Sequence, residues 1–205
     1  MTMRRICIVG AGAIGGLLAA RLAASGVRVS VLEKGERLAS IRNNGLVLLE
    51  EGLDPLRVRD VSCSDRAEDL GPQDLVILAV KAHDIAAVAP VLPHLYTEET
   101  PVVTVQNGLP WWYFMRHGGP DEGRRLETLD PAGVIEEHIP IQRVIGCVAY
   151  PAAELDEQGA VRLVEGNRFP VGEPSGEISE RVTELVNVLT ATGFKSFALS
   201  DIRAE

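Results

Sequence analysis

Three short clusters in this chain have the residue types and placement to do chemistry. Gly10, Gly12 and Gly15 stand in the run Ile6-Cys7-Ile8-Val9-Gly10-Ala11-Gly12-Ala13-Ile14-Gly15-Gly16. Lys81 opens Lys81-Ala82-His83-Asp84, and Asn107 is the middle of Gln106-Asn107-Gly108. The spacing G-x-G-x-x-G suits a dinucleotide diphosphate when it joins a strand to a helix. The first glycine permits the tight turn, the second lacks the Cβ that would hold a diphosphate off the backbone, and the third lets helix lie close on strand. Ala13 and Ile14 then head the helix, where unpaired N–H groups and the positive end of the dipole favour phosphate. Without a ligand the same glycines would simply pack a βα corner. A lysine at the mouth of a strand binds phosphate or carboxylate, or else snorkels from the surface. Asn107 can orient a substrate or the nicotinamide ribose, or merely make an Asn-Gly turn.

Positioning these residues requires particular elements. Residues 6–9 are all apolar, which predicts a strand buried on both faces. Ile14, Leu17, Leu18 and Leu22 repeat at helical spacing up to Gly26. Residues 27–32 predict a second strand ending at Glu33-Lys34-Gly35. Glu33 lies about 20 residues past the glycines, where an acidic side chain commonly accepts from the ribose 2′-hydroxyl of NAD. The plainer reading of Glu33 is a solvated charge at a strand end. Residues 36–43 predict a helix, and 46–49 with 56–61 an inserted hairpin. Residues 74–80 and 101–105 predict further buried strands, with a helix over about 84–92 between them. Strands alternating with helices predict an α/β fold, a doubly wound and mostly parallel sheet of Rossmann type. Ligands bind such sheets beyond the carboxyl ends of the strands, so the three clusters should meet in one crevice.

After Pro110 the pattern is weaker. Residues 117–140 predict a surface loop with one helix, and 144–150, 160–164, 168–172 and 194–199 predict strands. Ile178, Val182, Leu185, Val186 and Leu189 mark an amphipathic helix, and residues 200–205 look like the start of another. Pro110 suits the first position of a helix. The aromatic run Trp111-Trp112-Tyr113-Phe114 then belongs either to the core with a subunit contact, as in a homodimer, or to a substrate pocket.

Composition removes several classes of function. The chain has 205 residues, 46% of them hydrophobic, enough for a sizeable core. With 20 basic and 29 acidic side chains the formal charge is -9, which disfavours a nucleic-acid surface. No apolar run approaches the length of a membrane span, and the first five residues lead into a strand rather than a signal sequence. Cys7, Cys63 and Cys147 are far apart and odd in number, which suits a reducing cytoplasm. They and His83, His94, His117 and His138 lack metal-ligand spacing. Neither G-x-S-x-G nor a P-loop lysine is present, which argues against hydrolase and kinase chemistry.

Taken in order, the segments resemble the ketopantoate reductase family (2-dehydropantoate 2-reductases). The resemblance is carried by ICIVGAGAIGG, DLVILAVKA, VTVQNG, RVIGCVAYPA, VEGNRFPVGEP and GFKSFALSDIRAE, across nearly the whole chain. It implies a dinucleotide-binding Rossmann domain over residues 1–199. An all-helical substrate domain, beginning near 200–205, would be absent from this chain. It implies reduction of 2-dehydropantoate, or a similar 2-oxo acid, with NADPH on the route to coenzyme A. Gly10, Gly12 and Gly15 would hold the diphosphate, Lys81 would lie beside the cofactor, and Asn107 between nicotinamide and substrate. The family's general-acid lysine comes from the first long helix of the helical domain, and Lys34, Lys81 and Lys195 do not match it. The expectation is a chain that binds cofactor far better than it catalyses. Glu33 departs from the basic residue of NADPH-specific relatives, and would repel a 2′-phosphate unless Lys34 or Arg37 pairs with it. NADP remains the expected cofactor, with NAD second. Other readings are a non-catalytic NAD(P)-binding module, a dehydrogenase of another small acid or alcohol, and a flavoprotein.

Overall fold

The computed structural model describes residues 3–205, so Met1 and Thr2 of the N-terminal lead-in lie outside the described residues. The elements in order are β1 (Arg5–Val9), α1 (Ala13–Ala24), β2 (Arg28–Leu32), α2 (Gly35–Asn44), β3 (Leu46–Leu49), β4 (Leu56–Val58), β5 (Ser62–Ser64), β6 (Leu75–Leu78) and α3 (Ile85–Val88). There follow β7 (Val102–Val105), α4 (Val134–His138), β8 (Val144–Cys147), β9 (Ala152–Leu155), β10 (Val161–Glu165), β11 (Arg168–Gly172), α5 (Glu180–Ala191) and β12 (Lys195–Ala198). The main sheet has the order β12-β11-β8-β7-β6-β1-β2-β5. Its pairs are parallel except β8 with β11. The mostly parallel Rossmann-type sheet is therefore present. Ile6, Cys7, Ile8 and Val9 at its centre are at most 1% exposed, as strands covered on both faces must be.

The hairpin over β3 and β4 forms as predicted, but it joins a second sheet, ordered β4-β3-β10-β9. The second sheet packs on α1, which therefore lies between two sheets. That explains why α1 buries Gly15 to Ala20 and Leu22 with no polar face. Strand β9 has no clear sequence signal, because AAEL is short and three of its four residues are exposed.

Several local expectations change. The helix over 84–92 is a single turn, α3, between tight 3₁₀ turns at Ala82–Asp84 and Ala89–Leu95. Pro90 and Pro93 cannot donate to a regular ladder, so the backbone tightens instead. Trp111 to Phe114 form turns and no helix. Trp111 and Trp112 are buried, and Trp112 Nε1 donates to Thr104 Oγ1 at 3.1 Å. Ile178 is 58% exposed and precedes α5, whose N-cap is Ser179. Residues 200–205 make a turn; Ile202 is buried, and Arg203 donates to the carbonyls of Tyr113, Met115 and Pro174.

The start of α5 is tied down by a buried ion pair. Glu173, 3% exposed, accepts from Arg181 Nε and Nη2, both at 2.6 Å, and from Ser179 Oγ at 2.7 Å. Arg181 also donates to the Gln142 carbonyl at 2.6 Å. Arg181→Met leaves the carboxylate buried with one hydroxyl partner. The expected cost is about 3 kcal/mol, which thermal melts should read as a loss of roughly 6–12 °C.

Candidate functional site

Strand β1 delivers the chain into the glycine turn. Gly10 takes φ +86°, and a Cβ there would come 2.6 Å from Val80 Cγ1. Gly15 is tighter still, since its Cβ would stand 1.9 Å from the Gly10 carbonyl oxygen. These two glycines seat α1 on the sheet. Gly12 differs: its φ is -63°, and a Cβ there would meet nothing within 4 Å. It lines a cavity of about 780 Å³. No side chain caps α1 and no acidic residue occupies its first turn. By contrast α5 has Ser179 as its cap, and the Asp130 carboxylate accepts from the N–H groups of Ile135 and Glu136 in α4 at 2.7 and 3.0 Å. The first residues of α1 thus line the cavity without a side-chain cap on their amides.

The cavity brings together Gly10, Gly12, Ala13, Ile14, Glu33, Lys34, Lys81 and Asn107, as the topology of the sheet requires. Gly15 lies beneath, in the packing. Asn107 Oδ1 accepts from the Ala149 N–H at 3.2 Å, which fixes the amide and leaves Nδ2 as its donor. Lys81 is exposed in extended backbone at the rim. Glu33 is held by two amides: Oε2 accepts from Ala11 N–H at 2.7 Å and Oε1 from Lys34 N–H at 2.9 Å. One loop amide is therefore already used by the protein itself.

Arg37 behaves otherwise than its sequence position suggests. Its Nε donates to the Ala11 carbonyl at 2.6 Å and Nη1 to the Gly159 carbonyl, bracing the glycine turn against the β9–β10 turn. Burial pulls its guanidinium below the usual arginine range, against the opposing fields of Glu33 and Asp156. It does not line the cavity. Asp65, which follows β5, does line it and was not singled out from sequence. The only available signal was the three-residue strand Ser-Cys-Ser before it, too short to read.

The aromatic run divides. Trp111 and Trp112 belong to the core, while Tyr113 and Phe114 line a separate cavity of about 590 Å³ with His117 and Arg203. The three thiols are unpaired; burial pushes Cys7 up to about 12 and Cys147 higher, so neither is a nucleophile at neutral pH. Among the described residues no group of His, Cys, Asp and Glu could hold a metal ion, and no helix is long and apolar enough to cross a membrane.

Comparison with known proteins shows the family of the chain. Residues 6–120 match the family described as Ketopantoate reductase PanE/ApbA. The chain belongs to the ketopantoate reductase family. It is similar to the 2-dehydropantoate 2-reductase of Mesorhizobium japonicum, 48% identical over 202 residues, covering 98% of this chain and 61% of that protein. The 2-dehydropantoate 2-reductase of Mycobacterium tuberculosis is 30% identical over 187 residues, 91% of this chain and 54% of that one. Among solved structures, a Ralstonia solanacearum protein assigned as a ketopantoate reductase superposes with a TM-score of 0.93 at 39% identity, over 98% of this chain and 62% of that one. The 2-dehydropantoate 2-reductase of Geobacter metallireducens gives 0.79 at 26% identity, over 98% of this chain and 59% of that one. The chain thus spans somewhat over half the length of the ketopantoate reductases it matches.

Proposed function

We propose that this chain is the cofactor-binding part of an NAD(P)H-dependent 2-oxo acid reductase, with 2-dehydropantoate as its substrate. The observation that carries this reading is the Gly12 cradle: open space in front of an uncapped helix, at the carboxyl edge of a parallel sheet. A nucleotide diphosphate fits there, with the amides of Gly12, Ala13 and Ile14 as donors. Lys81 offers a positive charge along the same cavity, and Asn107 a fixed amide donor where strand β7 ends.

A bound reduced nicotinamide supplies the hydride for the keto carbon. Asn107 Nδ2 donates to the substrate carbonyl oxygen or to the nicotinamide ribose, holding the acceptor in line. Lys81 attracts the anionic groups that share the cavity. As the family resemblance implies, the proton for the forming alkoxide comes from a lysine of the family's helical domain. Lys34 lines the same cavity at the β2 end, Lys81 at the end of the β6 segment, and Lys195 lies on edge strand β12.

The test compares these 205 residues with the same residues fused to the C-terminal remainder of the Mesorhizobium reductase. Both should bind a reduced nicotinamide dinucleotide in calorimetry. Only the fusion should consume it with ketopantoate, followed at 340 nm. Turnover by the 205 residues alone at a comparable rate would contradict the assignment of the general acid. Absence of dinucleotide binding by both would contradict the function itself.

A further inference from the structure

We infer that this reductase takes NADH in preference to NADPH, because the wall that meets the adenosine ribose carries two carboxylates, Glu33 and Asp65, the first of them held by main-chain amides. The inference rests on the dinucleotide reading above and concerns which dinucleotide is admitted. A Rossmann sheet places that ribose at the end of its second strand. Here the position is Glu33, and both of its oxygens are pinned by main-chain N–H groups, of Ala11 at 2.7 Å and Lys34 at 2.9 Å. A carboxylate anchored on the same turn that cradles the diphosphate cannot swing aside for a second phosphate. It can still accept from ribose hydroxyls, since each oxygen keeps a free lone pair.

The second element is β5. It pairs parallel with β2, and Glu33 N–H donates to the Ser64 carbonyl at 3.0 Å, so Asp65 stands next to Glu33 on the cavity wall. Two carboxylates therefore flank the place where a 2′-phosphate would lie. The cation best placed to compensate on sequence grounds, Arg37, does not line the cavity. It braces the carbonyls of Ala11 and Gly159, and its remaining Nη2 is buried against Gly16 without a hydrogen-bond partner. Among the described residues that line the cavity, the cation next to Glu33 is Lys34, an exposed and flexible ammonium. Like charges placed opposite each other discriminate against the wrong partner more strongly than one mobile counter-charge restores it.

Calorimetric or fluorescence titration of the chain with NADH and with NADPH tests this, with the dissociation constants as the readout. NADH should bind at least about tenfold more tightly than NADPH. Glu33→Arg should reverse the order. Because that change also removes the acceptor of the Ala11 N–H, a second variant is needed: Asp65→Asn, which leaves the turn untouched, should narrow the gap about threefold. Equal affinities, or tighter NADPH, in the unaltered chain overturn the inference. So does a ratio that neither substitution moves. If neither dinucleotide binds, the dinucleotide reading fails and this inference falls with it.

Discussion

Gly12→Ala should leave the fold standing and remove most of the dinucleotide affinity. The backbone at Gly12 is in a region open to any L-residue, with φ -63°, and the added methyl meets no protein atom within 4 Å. Stability should therefore change little, because a surface alanine replaces a glycine that needed no special conformation. The methyl instead occupies the space in front of the α1 amides. If it holds a diphosphate off two charge-assisted N–H bonds, the loss is about 3 kcal/mol, or roughly 100-fold in the dissociation constant. Calorimetry beside a thermal melt separates the two effects. A variant that binds normally would show that the diphosphate does not sit over Gly12.

Gly15→Ala should do the reverse, and do it through the backbone. Its methyl would lie 1.9 Å from the Gly10 carbonyl oxygen and 3.1 Å from Ala79 Cβ. Neither neighbour is a flexible side-chain tip, so α1 must lift from β1 or the Gly10 turn must open. Gly10 cannot yield easily, being held at φ +86° against Val80. α1 is also clamped from its other side by the second sheet. The strain should reach about 4 kcal/mol, at the upper end for overpacking. For a domain of this size that is a melting temperature lower by roughly 8–16 °C. A melt within 2 °C of the parent, roughly the effect of less than 1 kcal/mol, would show that helix and strand are not in this close register.

The contrast between the two glycines shows how much sequence spacing can reveal. The G-x-G-x-x-G pattern gave each glycine a separate role, and close approach is visible at Gly10 and Gly15 with open space at Gly12. The central parallel strands were equally legible, because runs such as Leu-Val-Ile-Leu in β6 have no polar face to turn outward. So was the convergence of Gly10, Lys81 and Asn107, which follows from strand order alone once the strands are parallel.

What was not legible depends on contacts between residues distant in sequence. Arg37 has the type and position of a phosphate ligand, and only its bonds to Ala11 and to Gly159, 122 positions away, show that it is a brace. Asp65 enters the site because β5 adds to the edge of the sheet, a pairing that three residues cannot announce. The helix suggested by Pro110 does not form: residues 111–114 are turns, with Trp111 and Trp112 buried and Trp112 tied to Thr104 of β7. The missing regularity of residues 82–95 is local by comparison: Pro90 and Pro93 were in plain view and outweighed the apolar spacing.

The central claim is that main-chain amides at the head of α1 grip a diphosphate. A crystal structure of the chain grown with NADH tests it most directly. The expected result is diphosphate density within hydrogen-bonding distance of the Gly12, Ala13 and Ile14 N–H groups, with the adenosine ribose against Glu33. A dinucleotide bound elsewhere, with the turn after β1 empty, would contradict it.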